Sequence, residues 1–151
     1  MSKLTLKDLE ARIGQQIGLS PWLEMTQDRI NAFAEATDDR QWIHVDEKRA
    51  RRSPLRSTVA HGYLLVSLLA HFNLENEIFQ QKFRMAINYG MDRVRFLQPV
   101  RPGDRIRNRA QLKKVEKRGL RKILIAVENT LEIEGKDKPA LIAETLALIY
   151  L

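Results

Sequence analysis

Asp39 and His44 stand five residues apart in the stretch Ala36-Thr37-Asp38-Asp39-Arg40-Gln41-Trp42-Ile43-His44-Val45-Asp46, and Val59-Ala60-His61-Gly62 follows at the head of a long apolar run. An acid, an imidazole and a helix N-terminus are together sufficient to add water across an activated double bond. Histidine, with an ordinary pKa of about 6.5, exchanges protons near neutrality, and Asp39 can orient the same water or act as the base itself. A coupled pair titrates as a unit, so base and acid are not assigned individually. Bulky Trp42 and Ile43 between the two polar tips suit a turn whose backbone is anchored by apolar packing.

The elements that must position these groups can be read from periodicity. Leu6 to Ile13 is predicted as a short helix, and Gln16 to Glu24 as a strand interrupted near Pro21. Thr26 is placed to cap the next helix, with Asp28 in its first turn and Ile30, Phe33 and Ala34 on one face. That helix delivers the chain to Thr37 and Asp39. Glu47 to Arg52 reads as a further helical turn, capped by Asp46 and broken by Ser53-Pro54. Ser57 or Thr58 would cap a helix from Val59 to Asn73, apolar nearly all round and therefore buried on most sides.

Beyond this helix the period changes. Met85 to Leu97 is strand-like, and Asn88-Tyr89-Gly90 marks a bulge or a close backbone approach. Pro99 to Asp104 is a turn. Ile106, Ala110 and Leu112 alternate with Arg107, Arg109 and Gln111, and residues 122–134 alternate in the same way. Turns at Lys117-Arg118-Gly119 and Gly135-Lys136-Asp137 predict consecutive antiparallel pairing, with Ala140 to Tyr150 as a more central strand. Helices early and strands late give an α+β class, an antiparallel sheet around one helix.

At 151 residues the chain makes one globular domain, residues 1–151, with no internal repeat or linker. The absence of cysteine excludes disulfides, thiol catalysis and cysteine-ligated metals. The first residues have neither an apolar core segment nor a cleavage site, and the run from Tyr63 to Ala70 is far shorter than the ~20 residues that span a bilayer. The expectation is a soluble cytoplasmic protein with no membrane partner. With 26 Lys and Arg against 19 Asp and Glu, the formal charge is +7, which invites a polyanion. The basic residues are spread through strands and loops without a basic helix or interleaved aromatics, so nucleic acid is not the expected partner. Coenzyme A carries a pyrophosphate and a ribose phosphate and fits the same excess.

Three ordered motifs carry a resemblance. Thr37-Asp38-Asp39-Arg40-Gln41-Trp42-Ile43-His44-Val45-Asp46, Val59-Ala60-His61-Gly62 and Val94-Arg95-Phe96-Leu97-Gln98-Pro99-Val100-Arg101-Pro102-Gly103-Asp104 resemble the MaoC-like hot-dog dehydratases, the (R)-specific enoyl-CoA hydratases. Gln41-Trp42-Ile43-His44 and Ile87-Asn88-Tyr89-Gly90 are similar to the branch with nodulation-protein-N-like members. The resemblance runs over nearly the whole chain and implies a hot-dog fold, a homodimer, no cofactor and no metal. It implies hydration of a trans-2-enoyl thioester, or dehydration of a 3-hydroxyacyl thioester, on CoA or acyl carrier protein. Asp39 and His44 would be the catalytic pair. The Gly62 N–H, in the first helical turn, would stabilise negative charge on the thioester oxygen.

Other residues carry two readings each. His61 is read as a substrate or oxyanion contact or, in preference, as the residue that holds the Gly62 loop, and His71 as structural. Asn88 and Tyr89 would line the acyl or pantetheine channel, or pack as bulge residues on the sheet. Arg49, Arg51, Arg52, Arg56 and Arg95 are candidates for the CoA phosphates. Two departures from the family pattern stand out. Asp38 occupies the usual glycine position and is expected to face solvent, while Gln41-Trp42 replaces Asn-Pro, leaving the turn to be fixed by burial of the indole. A hot-dog thioesterase and a non-catalytic acyl-CoA-binding module are the rival readings. Thioesterases of this fold commonly carry an acid on or near the start of the central helix, and Gly62 to Asn73 has none.

Overall fold

The computed structural model describes residues 5–81 and 83–151. Thr5 opens α1 (Leu6–Glu10) by a reciprocal exchange with Asp8, hydroxyl to backbone N–H and carboxylate to backbone N–H. The predicted helix to Ile13 ends early, at Glu10, and turns carry the chain to Gly14 at φ 87°. The Gly14 N–H is taken by Leu112 O at 2.7 Å, so the segment docks on the sheet instead of continuing to coil. Pro21 divides β1 (Gln16–Leu19) from β2 (Leu23–Glu24) as expected.

The Thr26 hydroxyl accepts from the Arg29 N–H and starts α2 (Gln27–Thr37), which buries Ile30 and Ala34. Asp38 ends it at φ 60°, the left-handed conformation that glycine would adopt more readily. Its carboxylate is 83% exposed and pairs with Arg40 at 2.6 Å, so it faces solvent as expected. The short α3 (Trp42–Val45) follows, and the Asp46 carboxylate caps α4 (Glu47–Arg52) through the Arg49 N–H at 2.9 Å.

The central helix, α5, spans Gly62–Asn73. The expected start at Val59 with a Ser57 or Thr58 cap is corrected: His61 occupies the N-cap position, and residues 58–61 are an extended strap. The reason is backbone competition. The Val59 N–H goes to Ile43 O at 3.0 Å and the Ala60 N–H to Val100 O at 2.8 Å, so neither belongs to a helical turn. Burial is also one-sided. Leu64, Leu65, Leu68, Leu69 and Phe72 face the core, whereas Tyr63, Ser67, Ala70, His71 and Leu74 form an exposed stripe at helical spacing.

Four long strands complete the chain: β3 (Met85–Phe96), β4 (Arg105–Lys117), β5 (Lys122–Ile133) and β6 (Leu141–Tyr150). The sheet order is β1-β4-β5-β6-β3, with β2 also on β4, and every pairing is antiparallel. The register of β3 on β6 shifts between Asn88 and Gly90, the bulge that the sequence marked. Alternation places Ile106, Leu131, Ile133, Leu141 and Ala143 against α5, while Ile17, Leu112, Ile123, Ile125 and Ile149 form a second cluster. One sheet thus buries one helix stripe, the two-layer solution open to an α+β chain.

Gly18 is where this packing leaves no room. A methyl group there would lie 2.6 Å from Asn76 Cβ and 3.2 Å from Asn76 Cα, inside a turn held by the Asn76 side chain. Gly18→Ala is therefore expected to destabilise the protein by about 1–3 kcal/mol, measured as a lower denaturation midpoint with an unchanged m-value.

Candidate functional site

The extended strap at residues 58–61 brings the acid–histidine turn to the head of α5. The His44 Nδ1–H donates to Val59 O at 2.6 Å, which fixes the tautomer and leaves Nε2 as the unprotonated nitrogen. Two residues on, the His61 Nε2–H donates to the backbone carbonyl of Asp39 at 2.9 Å. The two imidazoles stack with centroids 3.7 Å apart, and Phe33 tilts against His61 at 5.0 Å. His44 and His61 are 7% and 2% exposed, whereas the Asp39 side chain is about half exposed. One ligand-capable atom from each of Asp39, His44 and His61 lies within 4.8 Å of the others. The His61 Nε2 that lies 4.0 Å from Asp39 Oδ2 is already committed to the Asp39 carbonyl, and His61 Nδ1 has no partner among the described residues.

Burial pushes the His44 imidazole below the ordinary histidine value; the Val59 carbonyl opposes this, His61 adds to it and Asp39 opposes it. The unfolded chain therefore takes up the proton first as pH falls. The stability due to neutral His44 is complete above the ordinary value near ~6.5, declines as pH falls through it, and levels off below the folded value. Denaturant unfolding between roughly pH 5 and 8 should show this decline in the parent protein and a shallower one in His44→Gln.

A cavity of about 550 Å³ opens at this point, lined by His44, Gly62, Tyr63, Phe96, Leu97 and Val100 among others. Gly62 is the first residue of α5, where the backbone N–H has no helical partner. The Phe96 ring lies directly on it: a methyl group at residue 62 would be 2.8 Å from Cζ. Glycine here is a requirement of close approach.

The structure thus brings Asp39, His44, His61 and Gly62 to one end of α5. It does not bring Asn88 and Tyr89 there. They line a separate cavity of about 640 Å³ between the outward stripe of α5 and the β3 edge, with Ser67, Ala70 and Thr145. Arg49 and Arg52 line a third, of about 460 Å³, with Trp42, Asp46, Lys48 and Ser53. The Arg49 guanidinium stacks 4.4 Å from the Trp42 ring centroid, so the indole is a cation platform as well as an anchor. Arg51 and Arg56 are exposed outside that cavity, and Arg95 on β3 donates to its neighbour Val94 O. Sequence reasoning missed Phe96 as a contact of Gly62, although it stands in the third motif. It also missed Gln27, Thr58 and the Val59 carbonyl, none of which carries a spacing signal.

The comparisons with known proteins bear on the family and the fold. A family profile described as a MaoC like domain matches residues 8–135. Nodulation protein N of Rhizobium leguminosarum bv. viciae is 42% identical over 99% of this chain and 93% of its own length. A 3-hydroxyacyl-thioester dehydratase Z of Mycobacterium tuberculosis is 41% identical over 94% of this chain and 93% of its own. Among solved structures, the (R)-hydratase from A. caviae involved in PHA biosynthesis superposes with a TM-score of 0.73 at 18% identity, covering 89% of this chain and 94% of that one. At that identity the likeness speaks for the fold, which is the hot-dog arrangement of a sheet wrapped on a central helix. With the ordered motifs, the profile match and relatives above 40% identity in agreement, the chain belongs to the MaoC-like dehydratase family.

Proposed function

We propose that this protein is an (R)-specific enoyl-CoA hydratase and 3-hydroxyacyl-CoA dehydratase that works in the cytoplasm without a cofactor. The observation that carries the reading is the His44 ring, held in one tautomer by Val59 O, beside Asp39 and on the same cavity as Gly62, whose N–H has no backbone partner among the described residues. In the hydration direction the oxygen of water bonds to C3 of a trans-2-enoyl thioester. Asp39 and His44 together take one proton from that water and return one to C2. The negative charge that gathers on the thioester oxygen is met by the Gly62 N–H at the positive end of α5. Dehydration runs the same steps backwards, releasing water from C3 and a proton from C2.

The cationic cavity of Lys48, Arg49 and Arg52 supports a phosphate-bearing carrier, and CoA is the carrier assigned here. Its arginines take no carboxylate among the described residues. Arg49→Ala with Arg52→Ala should raise KM for crotonyl-CoA severalfold and leave KM for crotonyl-pantetheine unchanged, as kinetics on the two substrates will show.

The working unit is assigned as a homodimer. β3 is a sheet edge that exposes Met85, Ile87, Tyr89 and Met91, and the exposed stripe of α5 lies beside it. A long apolar edge of this kind calls for a cover, and a second copy supplies an identical strand. Ile87→Lys with Met91→Lys should give a monomer by sedimentation velocity. Incubation with enoyl-CoA tests the function itself: loss of the conjugated double bond with the thioester intact supports hydration, and release of free CoA supports the thioesterase reading.

A further inference from the structure

Gln27, the first residue of α2, sits outside every motif that marks the site, yet its amide reaches both halves of it. Its Nε2 donates to the backbone carbonyl of His44 at 2.8 Å and also to Asn31 Oδ1 at 2.9 Å. Its Oε1 accepts from the Thr58 hydroxyl, and Thr58 is 2% exposed. The next residue, Val59, closes the circuit: its N–H donates to Ile43 O and its carbonyl accepts the His44 Nδ1–H. The strap that begins at Thr58 continues through His61, on the Asp39 carbonyl, to Gly62 at the start of α5. We propose that Gln27 is a positioning residue, which through Thr58 and the His44 carbonyl sets the imidazole of His44 in register with the N–H of Gly62.

The amide chemistry is specific. The reverse orientation of the side chain would place an oxygen against two acceptors, the His44 carbonyl and Asn31 Oδ1, whereas the Thr58 hydroxyl can serve either face. Only an amide gives one donor face and one acceptor face at the same position, so neither glutamate nor leucine replaces it. His44 lies in a helix of four residues whose N-cap side chain makes no bond, so the turn carries little stability of its own and depends on such ties. A loss of register of about 1 Å between two groups acting on one substrate can lower turnover a hundredfold.

The inference rests on the hydratase reading for its kinetic consequence, but the position of the ring can be read without turnover. Gln27→Glu removes the donation to His44 O and keeps the acceptor for Thr58, while Thr58→Val removes the other half and Thr58→Ser keeps it. Each of the first two is expected to lower kcat on crotonyl-CoA about tenfold to a hundredfold with KM little changed, and their combination to be no worse than either. Thr58→Ser regains most of the turnover. In ¹⁵N spectra of the histidine rings, the single Nδ1–H tautomer of His44 in the parent becomes a mixture in Gln27→Glu and Thr58→Val. Wild-type kcat in both variants, or an unchanged His44 tautomer, would overturn the proposal. If the parent fails to hydrate any enoyl-CoA, the function reading falls and the ring spectra alone decide whether Gln27 positions His44.

Discussion

His44→Gln is expected to lower turnover of a trans-2-enoyl-CoA by about 10²–10⁴-fold, the range for loss of a positioned acid–base group. The amide can still donate toward Val59 O, so the turn keeps its tie to the strap, but it cannot accept and return a proton near neutrality. Asp39→Asn should produce a loss of the same order. Its side chain is about half exposed and its backbone carbonyl remains available to His61, so folding is untouched. In the proposed mechanism the two groups act on one proton inventory, so the double variant should be little worse than either single one. Steady-state kinetics with thermal unfolding alongside separates this from a folding defect. A non-catalytic acyl-CoA-binding module would show no such loss, and its ligand affinity would be indifferent to Asp39→Asn.

Gly62→Ala is the second large effect. The added methyl group falls 2.8–3.1 Å from three atoms of the Phe96 ring, and Phe96 is 52% exposed, so the ring and not the helix gives way. Displacing it reshapes the cavity beside the proposed oxyanion donor, and a misplacement of about 1 Å there corresponds to as much as a hundredfold in kcat/KM. Alanine is a better helix former than glycine, so stability should hold or rise slightly. Combining Gly62→Ala with Phe96→Ala removes the clash and should recover part of the activity. The kinetics of the single and double variants, with unfolding midpoints, check both claims.

Much of the fold was legible because it follows from period and punctuation. Alternation in residues 105–133 and the turns at Gly119 and Gly135 set consecutive antiparallel strands, and both glycines take positive φ as those turns require. The bulge at Asn88-Tyr89-Gly90 was readable for the same reason. The start of α5 was not, because apolar residues at Val59 and Ala60 suit a helix and an extended strap equally. What decides between them is the long-range demand of Ile43 O, Val100 O and the His44 ring, which no local pattern encodes. The exposed stripe of α5 escaped for a similar reason: Tyr63, Ala70 and Leu74 carry no sign of which face meets the sheet.

The candidate site was legible where chemistry constrains residue type. Asp39, His44 and Gly62 were readable as a set, and the structure places them at one end of one helix. Gln27 and Thr58 were silent, since an amide and a hydroxyl on the surface of a sequence look like any others until the chain folds 31 residues back on itself. Asn88 and Tyr89 stand in a segment apart from the three ordered motifs, and they line a different cavity, at the register shift of the β3 edge.

The most direct measurement is the reaction of purified protein with crotonyl-CoA, following the loss of the conjugated thioester and the stereochemistry of the product, with Asp39→Asn and His44→Gln in parallel. Rapid formation of (R)-3-hydroxybutyryl-CoA by the parent, and loss of it by about 10²-fold or more in both variants, is the expected result. Persistence of crotonyl-CoA and of longer enoyl-CoAs in the presence of the parent, or full turnover in either variant, would contradict the assignment of this pair as the catalytic acid and base.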